Sequence, residues 1–468
     1  MNMLWDMDAF MAATDGRPVG ELPAGVGGIS IDTRSLEKGD AFFAIKGDRV
    51  DGHDYLQAAM RAGAALAVVD ESRLVSLGSL NLPLIVVGDV LDAMRRLGEV
   101  GRMRCKGQII AVTGSVGKTS TKEMLKTVLS ASGKVHASVA SYNNHWGVPL
   151  TLARMPEDTR FGVFEIGMNH PGEITPLVKM VRPHISIITN IAPVHIGAFD
   201  TIEDIARAKA EIYSGVVPGG YALINHDDRR YTLLRDLANE AKIEHLNSFG
   251  TKRGSEIWLR EMNLTSQGST LSVRINGEKD VNYTVNVPGE HMAMNSLAVL
   301  GAAVLGGADL DKSVDAFGRV VPADGRGTQY TIGGSGAMGI TIIDESYNAN
   351  PASMVAALGV LANFEGVKTK RRIAVLGDML ELGKQSRKFH EELAKPISAS
   401  KVDLVYLVGP EMDYLAKILP KEKLGGYFRD PGQLAARLKE CMKPGDVLML
   451  KASNSMGFGK VVEAILEA

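Results

Sequence analysis

Residues 108–126 carry a pattern that could hold a nucleotide phosphate. An apolar run, 108–113, ends in the segment Gly114-Ser115-Val116-Gly117-Lys118-Thr119-Ser120, and helix-forming residues follow it. Glycines let such a loop curl so that its backbone N–H groups point inward, and the N-terminus of the next helix adds partial positive charge. Lys118 could then reach the β- and γ-phosphates, and the Thr119 hydroxyl could bind Mg²⁺. The segment therefore predicts nucleotide binding.

An ordinary glycine-rich turn between a strand and a helix is the alternative. The full phosphate-loop pattern has glycine at the position of Val112, so this chain contains only the second half of that pattern. Lys118 and Thr119 directly follow Gly117, however, and the flanking strand and helix are both predicted. Together these features favour the phosphate loop.

Further polar residues follow apolar runs in the same part of the chain. Glu165 ends the run 161–165, and His195 lies a few residues after the run 184–190. Ligand groups gather at the carboxyl ends of parallel strands, so both side chains could lie where the metal of a nucleotide would bind. Mg²⁺ prefers oxygen ligands, which favours Thr119 and Glu165. A structural role for His195 is equally compatible with the sequence.

Two other polar groups are candidates for ligand contacts. The turn 344–351 follows a predicted strand, and its acids and amides could contact a nucleotide or a second substrate. Helix capping by Asn350, with Pro351 in the first turn, is the structural explanation of the same turn, and both roles can hold together. Loops at strand ends in the first hundred residues suit either ligand binding or simple solvation of turns. Their polar residues are Ser30, Asp32, Thr33, Arg34, Lys46 and His53.

Hydrophobic periodicity predicts three α/β domains. They are a small N-terminal α/β domain (1–105), a central domain with a mostly parallel sheet that carries the phosphate loop (106–324), and a C-terminal Rossmann-like α/β domain (325–468). Alternating runs that meet at turns such as Asn276-Gly277 predict an antiparallel patch within the central domain. The segment 320–327, which contains Pro and Gly, is expected to link the last two domains.

Individual strands and helices follow from the same periodicity. The predicted strands include 29–31, 41–45, 64–69, 84–87, 221–225, 257–264, 269–275, 281–287, 340–343, 371–376, 402–408 and 447–450. The predicted helices include 55–62, 90–103, 202–216, 292–305, 351–363, 386–398, 431–442 and 457–467.

The composition indicates ordinary soluble globular material. The chain has 468 residues, of which 45% are hydrophobic and 23% charged, and its formal net charge is −2 at pH 7. That balance gives no global basic surface for nucleic acid. No apolar run approaches the length of a membrane span, the first residues lack a secretory signal, and Cys105 and Cys441 show no pairing pattern. We therefore expect a cytoplasmic protein that binds neither nucleic acid nor membrane.

Six short motifs, in order, resemble those of the Mur ligase superfamily. They are Thr113–Thr119, Glu165–Asn169, Thr189–Ile191 with His195, Ala208–Ile212, Glu345–Pro351 and Leu376–Met379. In this family glycine is not expected at Val112, so the incomplete phosphate-loop pattern fits. The resemblance covers nearly the whole chain, from about Ile29 to Val461. It implies a UDP-sugar domain, a central ATPase domain, and a C-terminal domain that closes over the nucleotide.

The resemblance also implies roles for individual residues. It implies that Thr119 and Glu165 hold one Mg²⁺ and that His195 helps to hold a second. Lys209, which by its spacing would be only a solvated surface lysine, would be carbamylated and so become a carboxylate-like metal ligand. The implied catalytic residues are Lys118, Glu165, His195 and Lys209. The implied nucleotide contacts are Gly114, Ser115, Val116, Gly117, Lys118, Thr119, Ser120, Asn295, Arg326, Asp344, Tyr347 and Asn348. The implied contacts with the UDP-linked substrate are Ser30, Asp32, Thr33, Arg34, Lys46, His53, Asn143 and Asn144.

Two positions depart from the pattern of the family. Met292 follows His291 where the family often has asparagine, so only Asn295 is expected to contact adenine. The segment Lys451-Ala452-Ser453-Asn454 stands where the family has Lys-Gly-Ser-Arg, which removes an expected arginine.

By this resemblance the chain is expected to be an ATP- and Mg²⁺-dependent amide ligase of peptidoglycan precursor synthesis, acting as a monomer in cell-wall biogenesis, cell shape and cell division. The stretch 346–351 favours the family member that adds D-alanyl-D-alanine to a UDP-N-acetylmuramoyl-tripeptide, whose third residue could be meso-diaminopimelate or lysine. The closest alternatives are the ligase that adds the third residue and a folylpolyglutamate synthetase. A nucleotide-switch protein is an alternative of a different class, for which three domains of this size are not expected.

Overall fold

Three large β-sheets with helices packed on them organise the chain. The structure, a computed structural model, describes residues 3–47, 50–78, 80–194, 196–333, 339–365 and 369–467. Within that part of the chain no helix is long and apolar enough to cross a membrane.

The N-terminal sheet is mostly parallel. Its unit comprises β1 (Trp5–Asp6), α1 (Met7–Thr14), β2 (Arg17–Val19), β3 (Gly25–Val26), β4 (Gly28–Ser30), β5 (Asp40–Phe43), α2 (Leu56–Ala62), β6 (Leu66–Asp70), β7 (Leu84–Val87) and α3 (Val90–Arg104). The strand order is β2-β7-β6-β5-β4, and only β2 is antiparallel to its neighbour. β1 and β3 form a separate antiparallel pair. Continuous apolar strands such as β7 are buried on both faces, as parallel strands covered by helices require.

The central sheet contains the strand that precedes the phosphate loop. Its unit comprises β8 (Gln108–Thr113), α4 (Lys118–Ser130), β9 (Val135–Ala137), α5 (Gly147–Ala153), β10 (Phe161–Glu165), α6 (Ile174–Val181), β11 (Ile185–Ile188), α7 (Ile202–Ala210), β12 (Tyr221–Asn225), α8 (Tyr231–Glu240), β13 (His245–Gly250), β14 (Ile257–Leu264), β15 (Ser269–Ile275), β16 (Lys279–Val285), α9 (Glu290–Leu305) and α10 (Leu310–Ala316). The strand order is β16-β15-β14-β13-β12-β11-β8-β10-β9. The strands from β9 to β14 pair in parallel, and β14, β15 and β16 form antiparallel hairpins.

β8 lies inside this sheet between β10 and β11, both parallel to it. Residues 109–112 have no solvent exposure, because helices cover both faces of the strand. The carboxyl ends of the three strands therefore meet at one edge of the sheet, where the phosphate loop, Glu165 and Thr189 follow them.

The C-terminal sheet is also mostly parallel. Its unit comprises β17 (Thr328–Ile332), β18 (Ile340–Asp344), α11 (Pro351–Ala362), β19 (Arg371–Gly377), α12 (Ser386–Glu392), α13 (Ala394–Ala399), β20 (Leu404–Val408), α14 (Met412–Ala416), β21 (Leu424–Phe428), α15 (Pro431–Cys441), β22 (Asp446–Lys451) and α16 (Phe458–Leu466). The strand order is β17-β18-β22-β19-β20-β21, with only β17 antiparallel. Asn350 caps α11 through the backbone N–H of Ser353, and Pro351 occupies the first turn, so the capping explanation of this turn is correct.

The structure confirms the α/β class, the mostly parallel sheets and the antiparallel patch. Asn276 and Gly277 both have positive φ, as the tight hairpin turn requires. The expected helix 202–216 was too long, because α7 ends at Ala210 and a 3₁₀ turn continues to Gly215. The expected helix 386–398 is divided into α12 and α13. The three sheets fall within the three predicted domain ranges, whose exact bounds stay a prediction.

Candidate active site

Two glycines in the phosphate loop hold backbone conformations that other residues rarely adopt. Gly114 has φ +149° and Gly117 has φ +85°. A Cβ atom on Gly114 would lie 1.9 Å from Thr189 Oγ1, and one on Gly117 would lie 2.9 Å from Asn295 Oδ1. The loop can therefore turn this closely past β11 and α9 only with glycine at both positions.

The segment after β11 hydrogen-bonds the phosphate loop and so supports its conformation. The Asn190 carbonyl accepts from the Ser115 N–H at 2.9 Å, and the Asn190 side-chain oxygen accepts from the Val116 N–H at 3.0 Å. The Ser115 hydroxyl exchanges hydrogen bonds with the backbone of Ala192, both at 2.9 Å. Among the described residues no side chain caps the N-terminus of α4, and residues 115–120 line a cavity of about 470 Å³. An uncapped helix start in a cavity is suited to bind an anion.

Thr119 and Glu165 meet at the edge of this cavity. The Thr119 hydroxyl donates to Glu165 Oε2 at 2.8 Å, and the Asn143 amide donates to Glu165 Oε1 at 2.7 Å. Glu165 is almost fully buried. These hard oxygen donors fit Mg²⁺, which needs only one or two protein ligands besides phosphate and water. The described residues contain no group of three or more His, Cys, Asp or Glu side chains that could hold a metal alone.

Two lysines bring positive charge to the same region. Lys118 Nζ donates to the Gly114 carbonyl at 2.9 Å. Burial lowers the pKa of the Lys118 amine, Glu165 opposes that shift, and Arg326 adds to it. Lys209 on α7 is only 2% exposed, and among the described residues its ammonium group has no hydrogen-bonding or ion-pairing partner. Burial, with a smaller contribution from Lys118, lowers the pKa of Lys209 well below its ordinary value.

Residues of the C-terminal unit form the opposite wall of the phosphate cavity. The Arg326 guanidinium lies 4.0 Å from the centre of the Tyr347 ring, and the Tyr347 hydroxyl donates to Ser141 Oγ at 2.7 Å across the cavity. Lys451 Nζ lies 3.1 Å from Glu345 Oε2 and donates to the Asn348 carbonyl at 2.9 Å. The cavity is thus shared between the central and C-terminal units.

Of two C-terminal residues predicted to contact the nucleotide, one lines the phosphate cavity and the other does not. Asn348 lines the phosphate cavity, and its side-chain oxygen accepts from the Ala349 N–H at 2.9 Å. Asp344 is buried and accepts from the Ser346 N–H at 2.9 Å, and it is not among the residues that line the cavity. Asp344 therefore stabilises the turn that contains Tyr347 and Asn348.

A second cavity, of about 840 Å³, adjoins the first. Asn295 and His291 line both cavities. The Asn295 side-chain NH₂ group is buried and has no hydrogen-bond acceptor among the described residues. A buried amide donor without an acceptor is costly, so this group is suited to a ligand that supplies one.

A third cavity, of about 680 Å³, lies at the N-terminal sheet. Asp32, Thr33, Arg34 and Lys46 line it. Several aromatic residues that the sequence analysis did not identify also line it, namely Tyr55, Tyr142, His145 and Trp146. Arg34 hydrogen-bonds Asp32 and thereby lowers the pKa of that carboxyl group.

Four predicted substrate contacts do not line this cavity, and one of them, Asn143, lines the phosphate cavity instead. The Ser30 hydroxyl bonds the Asp32 carbonyl at 3.0 Å. The buried His53 ring contacts Asp51 Oδ1 at 2.6 Å and accepts from the Asp70 N–H at 2.9 Å, so both of its nitrogens are occupied within the domain. The Asn144 side-chain oxygen accepts from the N–H of Gly147, the first residue of α5, at 2.9 Å. His195 lies outside the described residues.

Comparisons with known proteins match most of the chain. Three sequence profiles match the chain: "Mur ligase family, catalytic domain" over residues 25–99, "Mur ligase middle domain" over 112–303, and "Mur ligase, glutamate ligase domain" over 331–454. A protein of Rickettsia prowazekii named UDP-N-acetylmuramoyl-tripeptide–D-alanyl-D-alanine ligase is 32% identical over 435 residues, which cover 93% of this chain and 94% of that relative.

Solved structures give the same result. MurF from Acinetobacter baumannii superposes with a TM-score of 0.83 at 28% identity and covers 99% of both chains. MurF ligase from Thermotoga maritima, in complex with ADP, has a TM-score of 0.75 at 26% identity and covers 94% of this chain and 97% of its own.

Proposed function

The chain belongs to the Mur ligase family, and from that premise we propose that it is the ATP-dependent ligase that joins D-alanyl-D-alanine to UDP-N-acetylmuramoyl-tripeptide. The product is a UDP-linked pentapeptide used in peptidoglycan synthesis. One observation carries the substrate assignment: the relative named for this reaction matches over nearly the full length of both chains. We extend the proposal to a monomer that acts in the cytoplasm.

The reaction requires activation of a carboxylate. A carboxylate resists attack by an amine because it is negatively charged and has no good leaving group. In the proposed sequence, a carboxylate oxygen of the tripeptide attacks the γ-phosphorus of ATP, the bond to the bridging oxygen breaks, and ADP leaves. The dipeptide amine then attacks the acyl carbon, loses a proton, and displaces inorganic phosphate, which keeps the transferred carboxylate oxygen. Positioning and neutralisation of charge are the main contributions that a protein makes to such a transfer.

The residues of the phosphate cavity suit the first step. Lys118 can stabilise the charge that develops on the β–γ bridging oxygen, and the uncapped start of α4 can hold the phosphate oxygens. Arg326 lies on the opposite wall, where it can neutralise the transferring group. The free amide of Asn295 is the proposed contact for adenine in the adjoining 840 Å³ cavity.

Mg²⁺ is part of the proposal. Thr119 and Glu165 would hold it, because their oxygens converge beside the phosphate loop and Asn143 fixes the orientation of the carboxylate. When bound, the cation supplies neutralising charge to the phosphates. The role of His195 in a second metal site stays a prediction.

Lys209 is suited to carbamylation. Only a neutral amine reacts with CO₂, and burial lowers the pKa of Lys209, which raises the fraction of that form. The lone pair of the neutral amine would form an N–C bond to CO₂, one proton would leave the nitrogen, and the neutral amine would become a carboxylate-like anion.

The remaining substrates have cavities of fitting chemistry. Arg34 and Lys46 bring positive charge to the N-terminal cavity, which suits the diphosphate of the UDP-linked substrate. A cavity of about 270 Å³ shares Asn348 and Asn350 with the phosphate cavity and includes Ser453 and Asn454 of the C-terminal unit. We assign the incoming dipeptide to it, because it opens beside the place where the acyl phosphate would form.

A substrate matrix tests the proposed function. UDP-muropeptides of two, three and four residues are combined with single amino acids or D-Ala-D-Ala, and ADP formation by the full chain with MgATP is measured. We expect turnover only with a tripeptide and D-Ala-D-Ala together. Turnover with a dipeptide precursor and a single diamino acid would indicate the third-residue ligase instead. ATP hydrolysis at a rate that does not depend on either substrate would favour a nucleotide switch.

A further inference from the structure

Lys122 is a fully buried lysine that none of the proposed reaction steps uses. It lies on α4, one turn after Lys118, and its side chain has no solvent exposure. Its Nζ donates to the Ser138 carbonyl at 2.8 Å and to the Ala140 carbonyl at 2.7 Å, and it lies 2.5 Å from Glu123 Oε1. The three donors of an ammonium group thus have three partners. Burial of a charge is costly unless it is paired, so these contacts account for a lysine at this position.

The two carbonyls belong to the bridging loop, residues 138–146, which connects β9 to α5. Ala140 has φ +47° although it carries a Cβ atom, a conformation that persists only where surrounding contacts impose it. Lys122 supplies such a contact through the Ala140 carbonyl. The shape of the bridging loop therefore depends on the phosphate-loop helix.

Residues of the bridging loop alternate between two cavities. Ser141 and Asn143 line the phosphate cavity, where Ser141 Oγ lies 3.3 Å from Thr119 Oγ1 and Asn143 donates to Glu165. Tyr142, His145 and Trp146 line the N-terminal cavity assigned to the UDP-linked substrate. One short segment thus touches both ligand sites.

We propose that Lys122 is a positioning residue that fixes the bridging loop and so couples occupancy of the UDP-substrate cavity to phosphoryl transfer at Thr119 and Glu165. A substrate that packs against Tyr142 and Trp146 favours the loop conformation in which Ser141 and Asn143 face the metal and γ-phosphate site. The inference rests on the proposed function for the identity of the substrate. The coupling itself follows from the shared loop.

Lys122→Met in the full chain tests the proposal. Methionine retains an apolar side chain of similar length but cannot hold the two carbonyls. We expect kcat for ADP formation to fall by about 10- to 100-fold, because the carboxylate of Glu165 loses its fixed orientation. Without Mg²⁺, the affinity for the non-hydrolysable analogue AMP-PNP alone should stay within about threefold, since the phosphate loop and Lys118 are unchanged.

The coupling factor is the ratio of AMP-PNP affinities with and without UDP-MurNAc-tripeptide. A purely structural role of Lys122 would not alter this factor. In wild type, we expect UDP-MurNAc-tripeptide to raise AMP-PNP affinity by a factor in the range of about 5 to 150, and in Lys122→Met we expect this factor to approach one. Lys126→Met is the matched control, because Lys126 lies one turn further along α4 and is exposed. Its kcat and coupling factor should equal those of wild type.

Ala140→Gly provides a second variant in case Lys122→Met does not fold. Glycine accepts positive φ without strain, so the protein should fold, while the loop gains freedom and the coupling factor should fall. Unchanged kcat and coupling in both variants, or in Ala140→Gly alone if the other is unfolded, would overturn the inference. If the wild-type rate of ADP formation does not depend on the UDP-linked substrate, the proposed function is contradicted. If the coupling factor in wild type is one, the proposed coupling is contradicted.

Discussion

Replacement of Lys209 by methionine should make the protein more stable and inactive. Lys209 is 2% exposed, and among the described residues its amine has no partner. Burial of a polar group without a hydrogen bond costs about 1 to 3 kcal/mol in mutational data, so Lys209→Met should gain stability of that order at neutral pH. Turnover should be lost, because methionine cannot form the proposed carbamate.

The pH dependence of this stability difference tests the burial of the Lys209 amine more sharply. Burial lowers the folded-state pKa of Lys209 below its ordinary value of 10.5, so below pH 10.5 the unfolded chain binds more protons at this residue than the folded chain. Wild-type stability relative to Lys209→Met should therefore rise with pH and stop rising above about 10.5. The slope is at most about 1.4 kcal/mol per pH unit, so two units narrow the difference by at most about 3 kcal/mol.

Urea denaturation of both proteins at pH 7 and pH 9, in buffer free of bicarbonate, measures this difference. Absence of bicarbonate matters because a carbamate would remove the titrating amine. Lys179→Met on α6 is the control, since Lys179 is exposed, and its stability difference should not vary with pH. Lys209→Ala should recover part of its activity with short carboxylic acids that fill the vacated space. A destabilised but fully active Lys209→Met would refute the reasoning and return this residue to an ordinary structural role.

Further expectations concern the phosphate cavity and the fold. Lys118→Ala should abolish turnover with a thermal midpoint close to that of wild type, because the ammonium group hydrogen-bonds a loop carbonyl; an unchanged rate would contradict its role. Tyr347→Phe removes the hydrogen bond to Ser141 across the cavity, and the loss of about 0.5 to 1.5 kcal/mol should lower kcat/KM by roughly two- to twelvefold. An equal kcat/KM would show that this bond does not help to hold the two walls of the cavity together. Burial lowers the pKa of His136 to about 4, so wild-type stability should fall between pH 6.5 and 4 relative to His136→Gln, and parallel stability curves would refute this.

The sequence predicted the site best where chemistry and local pattern coincide. Gly114 and Gly117 adopt the positive φ that a phosphate loop needs, and Thr119 and Glu165 meet although 46 positions separate them. That meeting follows from the rule that parallel strands present their carboxyl ends at one edge. The N-terminal residues predicted to contact the UDP-linked substrate were identified only as a cluster. His53 belongs to that cluster in sequence, but its ring bonds inside the domain.

Contacts that depend on tertiary packing could not be predicted. Helix α5 has no amphipathic period because every one of its residues is buried, so the pattern that identifies surface helices is absent. Lys122 looks like any helix lysine until the fold brings the Ser138 and Ala140 carbonyls to it. The hydrogen bond from Tyr347 to Ser141 joins residues 206 positions apart. Such pairs depend on the relative placement of whole units, for which local periodicity carries no information.

Transfer of an oxygen atom tests the central claim most directly. UDP-MurNAc-tripeptide labelled with ¹⁸O in its reacting carboxylate is incubated with the enzyme, MgATP and D-Ala-D-Ala, and the released phosphate is analysed by mass spectrometry. An acyl phosphate requires that each phosphate released carries one labelled oxygen. Phosphate without the label, released in step with the pentapeptide product, would contradict phosphoryl transfer to the tripeptide carboxylate.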